Sequence, residues 1–333
     1  MVARNPDRCH HRPGGHVLRR TGRTGTGSDD SGGNVMSKTI GFLGLGHMGG
    51  PMAANLVKAG YEVHAYDPSA AAQEQAGKDG VALVETGVAA ATGRDIVITM
   101  LTNGKLVRDV YAELLPVARP DTLFVDCSTI DVADAKAAAE AATAAGHRAL
   151  DAPVSGGVSG AAAGTLTFMV GGADTDFAEA LPMLEVMGAK VVHCGGAGVG
   201  QAAKICNNML LGISMIGLSE ALVLGEKLGL SHQSFFDVVS TASGQSWALT
   251  TYCPVPGPVP TSPANNDYRP GFATALMNKD LGLAVDALRA NGVEGRIGEL
   301  AAEIYREFNE TSDGRDFSAI VTEVRKRSSG WAT

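Results

Sequence analysis

Aromatic side chains make up only 5% of this 333-residue chain. That is too few for the aromatic-rich interior of a β-sandwich, whereas 43 glycines and abundant alanine suit close helix–strand packing in an α/β protein. Cysteine is scarce as well. Cys9, Cys127, Cys194, Cys206 and Cys253 form no CxxC pair, so neither a disulfide framework nor a zinc site is expected. His47, His64, His147, His193 and His232 are scattered without metal-ligand spacing, and no metal is expected. Basic charge is in deficit, with 27 Lys and Arg against 35 Asp and Glu. Six of those arginines but only three of the aspartates fall within residues 1 to 36, so the rest of the chain is more acidic still. No basic stripe crosses it, which argues against a nucleic-acid surface and for a small-molecule partner.

Residues 1 to 36 lack an apolar signal-peptide core and any helical periodicity, and are expected to be a disordered extension. Met36 then opens Met-Ser-Lys-Thr-Ile, the usual look of a start before a first strand. The expectation is a misassigned upstream start and a cytoplasmic protein, with mitochondrial import as the alternative reading. A chain of this length fits two domains better than one.

From Ile40 onward, β-branched runs alternate with alanine-rich helical stretches. Ile40 to Leu43, Glu62 to Tyr66, Ile96 to Thr99 and Thr122 to Val125 read as strands, with further runs at Ala149 to Val154, Leu166 to Val170 and Lys190 to His193. Such alternation predicts a parallel sheet. The pattern yields an α/β fold: a Rossmann-type doubly wound domain over residues 37–198, then an all-α substrate and oligomerisation domain over 199–330. Gln201 to Leu228 is apolar enough to raise the question of a membrane span. Asn207, Asn208, Ser214, Ser219 and Glu220 interrupt it, so a buried connecting helix is expected instead, shared by a homodimer or homotetramer. Between Cys253 and Gly271 lie six of the fourteen prolines, a stiff extended loop.

The first strand leads into Gly44-Leu45-Gly46-His47-Met48-Gly49, followed by the helical run Met52 to Lys58. Strand, glycine turn and helix together are the context a dinucleotide fingerprint requires. Gly44 permits the tight turn, Gly46 lets a pyrophosphate approach, and Gly49 lets the helix pack close to the strand. Asp67 ends the second strand, where a carboxylate accepts ribose hydroxyls and repels a 2′-phosphate, so NAD is expected over NADP. Lys204 and Asn208, four apart, share one helix face. By itself that lysine reads slightly better as a snorkelling surface side chain than as a buried cation of lowered pKa, and the Asp151-Ala-Pro-Val-Ser-Gly-Gly-Val-Ser-Gly160 segment equally as an anion-binding turn or a flexible crossover.

These residues resemble the β-hydroxyacid dehydrogenase family, and within it the 3-hydroxyisobutyrate dehydrogenases. The resemblance rests on Gly41 to Gly60, Asp151 to Gly160, Gly200-Gln-Ala-Ala-Lys-Ile-Cys-Asn-Asn208 and Asn278-Lys-Asp-Leu-Gly-Leu-Ala284, in order across residues 38 to 327. It implies that Ser155, Gly156 and Gly157 bind a substrate carboxylate, that Lys204 transfers a proton and that Asn208 hydrogen-bonds the substrate. It also implies that Lys279 and Asp280 complete the pocket, with Lys279 near nicotinamide and substrate. Trp247 and Tyr252 match pocket-lining positions, and Leu101 and Thr129 match cofactor-contacting ones.

The implied reaction is NAD-dependent oxidation of 3-hydroxyisobutyrate to methylmalonate semialdehyde in valine breakdown. Gly244-Gln-Ser-Trp247 and Tyr252-Cys-Pro-Val-Pro-Gly257 are similar to that subfamily rather than to the tartronate or succinic semialdehyde reductases. A non-catalytic scaffold keeping the fold is the reading from another class, and such relatives typically lose the lysine.

Overall fold

The computed structural model describes residues 38–329, so the expectation for residues 1 to 36 lies outside it. The first part of the described chain runs β1 (Thr39–Leu43), α1 (Gly49–Lys58), β2 (Glu62–Tyr66), α2 (Ala70–Lys78), β3 (Ala82–Leu83), α3 (Gly87–Ala91), β4 (Ile96–Thr99) and α4 (Gly104–Leu114). It continues through β5 (Leu123–Asp126), α5 (Val132–Ala144), β6 (Arg148–Asp151), β7 (Val154–Ser155), α6 (Gly157–Ala163), β8 (Leu166–Gly171), α7 (Asp174–Met187) and β9 (Gly188–Gly195). Helices follow: α8 (Val199–Lys227), α9 (His232–Val239), α10 (Trp247–Thr250), α11 (Thr274–Ala290), α12 (Arg296–Thr311) and α13 (Ile320–Ser329).

The strands lie in the order β3-β2-β1-β4-β5-β6-β8-β7, with β9 beside β8. From β3 to β6 every pairing is parallel, and Phe42 stands level with Ala65 on one side and Ile98 on the other. Chain direction across the sheet reverses between β1 and β4. The crevice beyond the carboxyl ends of those two strands is where an open α/β sheet binds its ligand.

Side-chain alternation explains why helices cover both faces. Ile40, Phe42, Ile96, Ile98, Leu123 and Val125 face one core with Met52 and Leu56 of α1. Val97 and Phe124 face the other, against Tyr111 and Leu114 of α4. This is the period of two expected of a strand buried on both faces.

The expected all-parallel sheet is corrected at its far edge, where β8 runs antiparallel to β6 and β7. Only the short α6 separates β7 from β8, less chain than a parallel crossover needs. The 14-residue α7 is long enough, and β9 pairs parallel with β8. The single run anticipated from Ala149 to Val154 breaks in two at Ala152 and Pro153, because proline brings no backbone N–H to a ladder.

α8 is by length and composition long and apolar enough to cross a membrane. The polar interruptions do not lower its hydropathy as far as the sequence reading supposed. Here it serves as a core helix: Met215, Ile216, Leu218 and Leu222 pack with Met277, Leu281, Tyr305, Phe308 and Phe317.

Candidate active site

Two glycines of the turn after β1 are demanded by the protein itself. Gly44 has φ +94°, and a Cβ on Gly49 would lie 1.9 Å from the Gly44 carbonyl oxygen, so α1 closes onto β1 only without a side chain there. Gly46 differs, since a Cβ there would meet nothing within 4 Å. The open space over Gly46 faces no protein atom and suits the pyrophosphate of a dinucleotide. No acidic residue lies in the first turn of α1 and no side chain caps it, leaving its dipole for an anion, although Gly50 and Met52 N–H already donate to the Gly46 and Met48 carbonyls. Gly46 and His47 are exposed, whereas Leu45 is buried in the core and could meet a cofactor only through its backbone.

Asp67 at the end of β2 is already engaged. Oδ2 accepts from the Leu45 N–H at 2.7 Å and Oδ1 from the Ser69 N–H at 2.7 Å. It thus braces the glycine turn as well as standing where ribose hydroxyls are expected. A carboxylate has about four acceptor sites, so both tasks are compatible.

The ends of β4 and β5 are laced together beside this turn. Asp126 Oδ1 accepts from Thr99 Oγ1 at 2.7 Å and Ser128 Oγ at 2.6 Å, and Ser128 Oγ in turn accepts from the Leu101 N–H at 2.8 Å. Burial pushes the Asp126 carboxyl up to about 6 against these hydrogen bonds. Leu101 and Thr129, expected at the cofactor, flank this lacing. Lys279 of α11 crosses to the same strand ends, donating to the Thr129 carbonyl at 2.8 Å and the Thr102 carbonyl at 3.3 Å.

Lys204 and Asn208 lie one turn apart on the inner face of α8, both buried. Asn208 Nδ2 donates to Asp280 Oδ2 on α11, and Asn208 Oδ1 accepts from Asn207 at 2.9 Å. Burial lowers the Lys204 pKa, the Asp280 charge opposes that shift, and Lys279 reinforces it. Asp280 is itself raised by burial against the pull of both lysines. A lysine so placed can trade a proton nearer neutral pH than an exposed one. Asp280→Asn should move the Lys204-dependent limb of the oxidation pH–rate profile down by about one pH unit. The sign follows from removing the negative charge that favours the protonated amine; an unmoved or upward-shifted limb would contradict it.

Ser155, Gly156 and Gly157 form the turn between β7 and α6, with φ +137° at Gly156 and +65° at Gly157. A Cβ on Gly157 would lie 3.1 Å from the Gly271 carbonyl oxygen, and one on Gly271 would lie 2.6 Å from the Tyr252 hydroxyl. The turn, the 271 loop and Tyr252 therefore form one continuous wall. Trp247 stacks on Tyr252 at 5.1 Å and is 49% exposed, so it stands at the rim. Asp316 organises this wall: Oδ2 accepts from Tyr252 Oη at 2.8 Å and from the Gly271 and Phe272 N–H groups at 3.0 and 2.9 Å.

The structure therefore brings Lys204, Asn208, Lys279, Asp280 and Thr129 together as one group, and the 155–157 turn, Tyr252 and Trp247 as another. No hydrogen bond joins the two among the described residues. Sequence reasoning missed Asp126, Ser128, Gln201 and Asp316. An acid closing a strand in Phe124-Val-Asp126 was an available signal for the first, whereas Asp316 acts on residues 44 to 64 positions away and left none. Among the described residues no group of three or more His, Cys, Asp or Glu side chains could hold a metal ion.

A doubly wound sheet with a dinucleotide turn, continued by helices that carry a buried lysine to the strand ends, defines an NAD-dependent oxidoreductase. Comparison with known proteins gives the family. Residues 39–196 match the model of the NAD-binding domain of 6-phosphogluconate dehydrogenase. Residues 198–324 match the model described as NAD-binding of NADP-dependent 3-hydroxyisobutyrate dehydrogenase. A probable 3-hydroxyisobutyrate dehydrogenase of Mycobacterium tuberculosis is 55% identical over 289 residues, 87% of this chain and 98% of the relative. The solved structure of the 3-hydroxyisobutyrate dehydrogenase from that organism with L-serine superposes with a TM-score of 0.84 at 55% identity, covering 87% of this chain and all of that one. An NAD-dependent L-serine dehydrogenase of Pseudomonas aeruginosa is 43% identical over 85% of this chain and 96% of its own length. The chain belongs to the 3-hydroxyisobutyrate dehydrogenase family.

Proposed function

We propose that the protein oxidises 3-hydroxyisobutyrate to methylmalonate semialdehyde with NAD, in valine breakdown, residues 37–198 holding the dinucleotide and 199–330 completing the substrate site. The observation that carries this reading is the convergence of Lys204, Asn208, Lys279 and Asp280 on the ends of β4 and β5, beside the crevice over Gly46. The dinucleotide, when bound, supplies the hydride acceptor. The 155–157 turn holds the substrate carboxylate through the Ser155 hydroxyl and unhindered backbone amides. Lys204, neutral, takes the hydroxyl proton as the carbon-bound hydrogen leaves with its electron pair, and Asn208 orients the oxygen. Asp67 disfavours a 2′-phosphate, which supports NAD over NADP.

L-serine is the second reading, favoured by the names of the Pseudomonas relative and of the mycobacterial structure. Tartronate and succinic semialdehyde would share the same chemistry. The deciding assay is NADH formation with 3-hydroxyisobutyrate, L-serine, glycerate and 4-hydroxybutyrate side by side, each with NAD and NADP. The expected result is the highest kcat/KM for 3-hydroxyisobutyrate with NAD. Better turnover of another acid would overturn the substrate and leave the chemistry, and a preference for NADP would overturn the role of Asp67.

A homodimer or homotetramer is supported by apolar side chains standing outward on α8 and α12 and beside them. Leu210, Leu224, Leu228, Ile297 and Leu300 are each at least half exposed, more than a solitary helical body leaves bare on adjoining elements. Sedimentation equilibrium should return a multiple of the chain mass; a monomer at micromolar concentration would refute it. The 55% identity to a bacterial relative supports a cytoplasmic site, although a Drosophila melanogaster relative at 43% identity is named mitochondrial. Co-fractionation with a mitochondrial matrix marker would decide against the cytoplasm.

A further inference from the structure

We infer that Gln201 is a positioning residue, which sets Lys204 against the cofactor-side strand ends by closing a ring of hydrogen bonds. This rests on the proposed role of Lys204. Gln201 is wholly buried in the first turns of α8. Its side-chain amide spans Thr129 from both sides: Nε2 donates to the Ser128 carbonyl at 2.7 Å, and Oε1 accepts from the Ile130 N–H at 3.1 Å. A side chain thereby supplies the backbone partners that a neighbouring strand would, past the paired residues of β5.

From Thr129 the ring continues through contacts already described. The Thr129 carbonyl accepts from Lys279, the adjacent Asp280 accepts from Asn208, and Asn208 returns the ring to α8. Lys204 sits on the arc of α8 between Gln201 and Asn208. Lys204 lies three positions after Gln201 on the helix, about 4.5 Å of rise on nearly the same face. A rotation of α8 about its axis therefore moves both together.

The start of α8 has a separate anchor. Asp151 Oδ1 accepts from the Gly198 N–H at 2.7 Å and Oδ2 from the Gln201 N–H at 2.8 Å. That anchor pins the helix end to β6. Among the described residues, the Gln201 side chain is the direct hydrogen-bonded link between α8 and the 128–130 segment, and the Asn208–Asp280 and Lys279–Thr129 bonds reach it by way of α11. Loss of the amide should leave the fold and both binding sites standing while loosening the reacting geometry, and a misplacement of about 1 Å can cost on the order of a hundredfold in rate.

The test compares wild type, Gln201→Met and Lys204→Ala with NAD and 3-hydroxyisobutyrate, either unlabelled or deuterated at the carbinol carbon. Methionine keeps the length and removes both hydrogen bonds. Gln201→Met is expected to lower kcat by roughly 30- to 100-fold, hold both KM values within about threefold, and raise the primary isotope effect on kcat. Wild-type kcat and isotope effect in the variant, with or without a lower Tm, would reduce Gln201 to a structural residue and overturn the inference. A raised KM for NAD at unchanged kcat would make it a binding residue, with the same consequence. Undiminished kcat in Lys204→Ala would sink the proton-transfer reading on its own, and this inference with it. Should Gln201→Met not fold, Gln201→Asn, one methylene too short to span Thr129, carries the same comparison.

Discussion

Lys204→Ala should lower kcat for alcohol oxidation by about a thousandfold, within the range a positioned general base supplies, while NADH still binds. The reason is a buried base with the charges of Asp280 and Lys279 as neighbours. Lys204 is the ionisable side chain on the inner face of α8 at the strand ends, and burial has lowered its pKa. Oxidation needs the amine neutral, so the wild-type rate should rise with pH and level off below the ordinary lysine range. Reduction of the aldehyde needs the ammonium, so its rate should fall through the same pH interval. The variant should lose both limbs. Binding of NADH, followed by its fluorescence, separates this from unfolding. A variant that keeps the wild-type profile would remove Lys204 from the mechanism.

The second large effect is a contrast between two glycines three residues apart. Gly49→Ala would drive a methyl group to within 1.9 Å of the Gly44 carbonyl oxygen, and backbone on both sides leaves little to yield. Loss of about 3 kcal/mol or more is expected, lowering Tm by roughly 10 °C. Gly46→Ala meets no protein atom within 4 Å, so Tm should hold while NAD affinity falls at least about tenfold, because the methyl group occupies space the pyrophosphate needs. Thermal unfolding with and without NAD reads both. If Gly46→Ala destabilised the free protein as much as Gly49→Ala, or bound NAD like wild type, the assignment of that space to the cofactor would fail.

Strands β1, β2 and β4 lie where their apolar runs put them, because β1 and β4 are buried on both faces and β2 on the face of Val63 and Ala65, and that pattern is local. The far edge of the sheet was not legible in that way. A run of apolar residues carries no direction, and whether β8 returns parallel or antiparallel depends on how much chain joins it to β7. The site was legible to a similar degree. Lys204 and Asn208 could be set on one face by counting four residues, whereas their partner Asp280 lies 72 residues beyond Asn208 and declares itself only in the packing of α11 on α8. The wall held by Asp316 gave no local sign.

What the sequence determined by itself is therefore what short-range chemistry determines: the glycine turn after β1, the acid ending β2, the strand periods and the helical run that bears Lys204. These follow from backbone freedom, side-chain alternation and helical repeat, which operate over a few residues. Only the tertiary structure decided which lysine is buried, which carboxylate stands beside it, and that Gln201 and Lys279 tie two helices to the ends of β4 and β5. Burial and electrostatic neighbourhood are properties of space rather than of sequence distance, and the pKa that makes Lys204 useful depends on both.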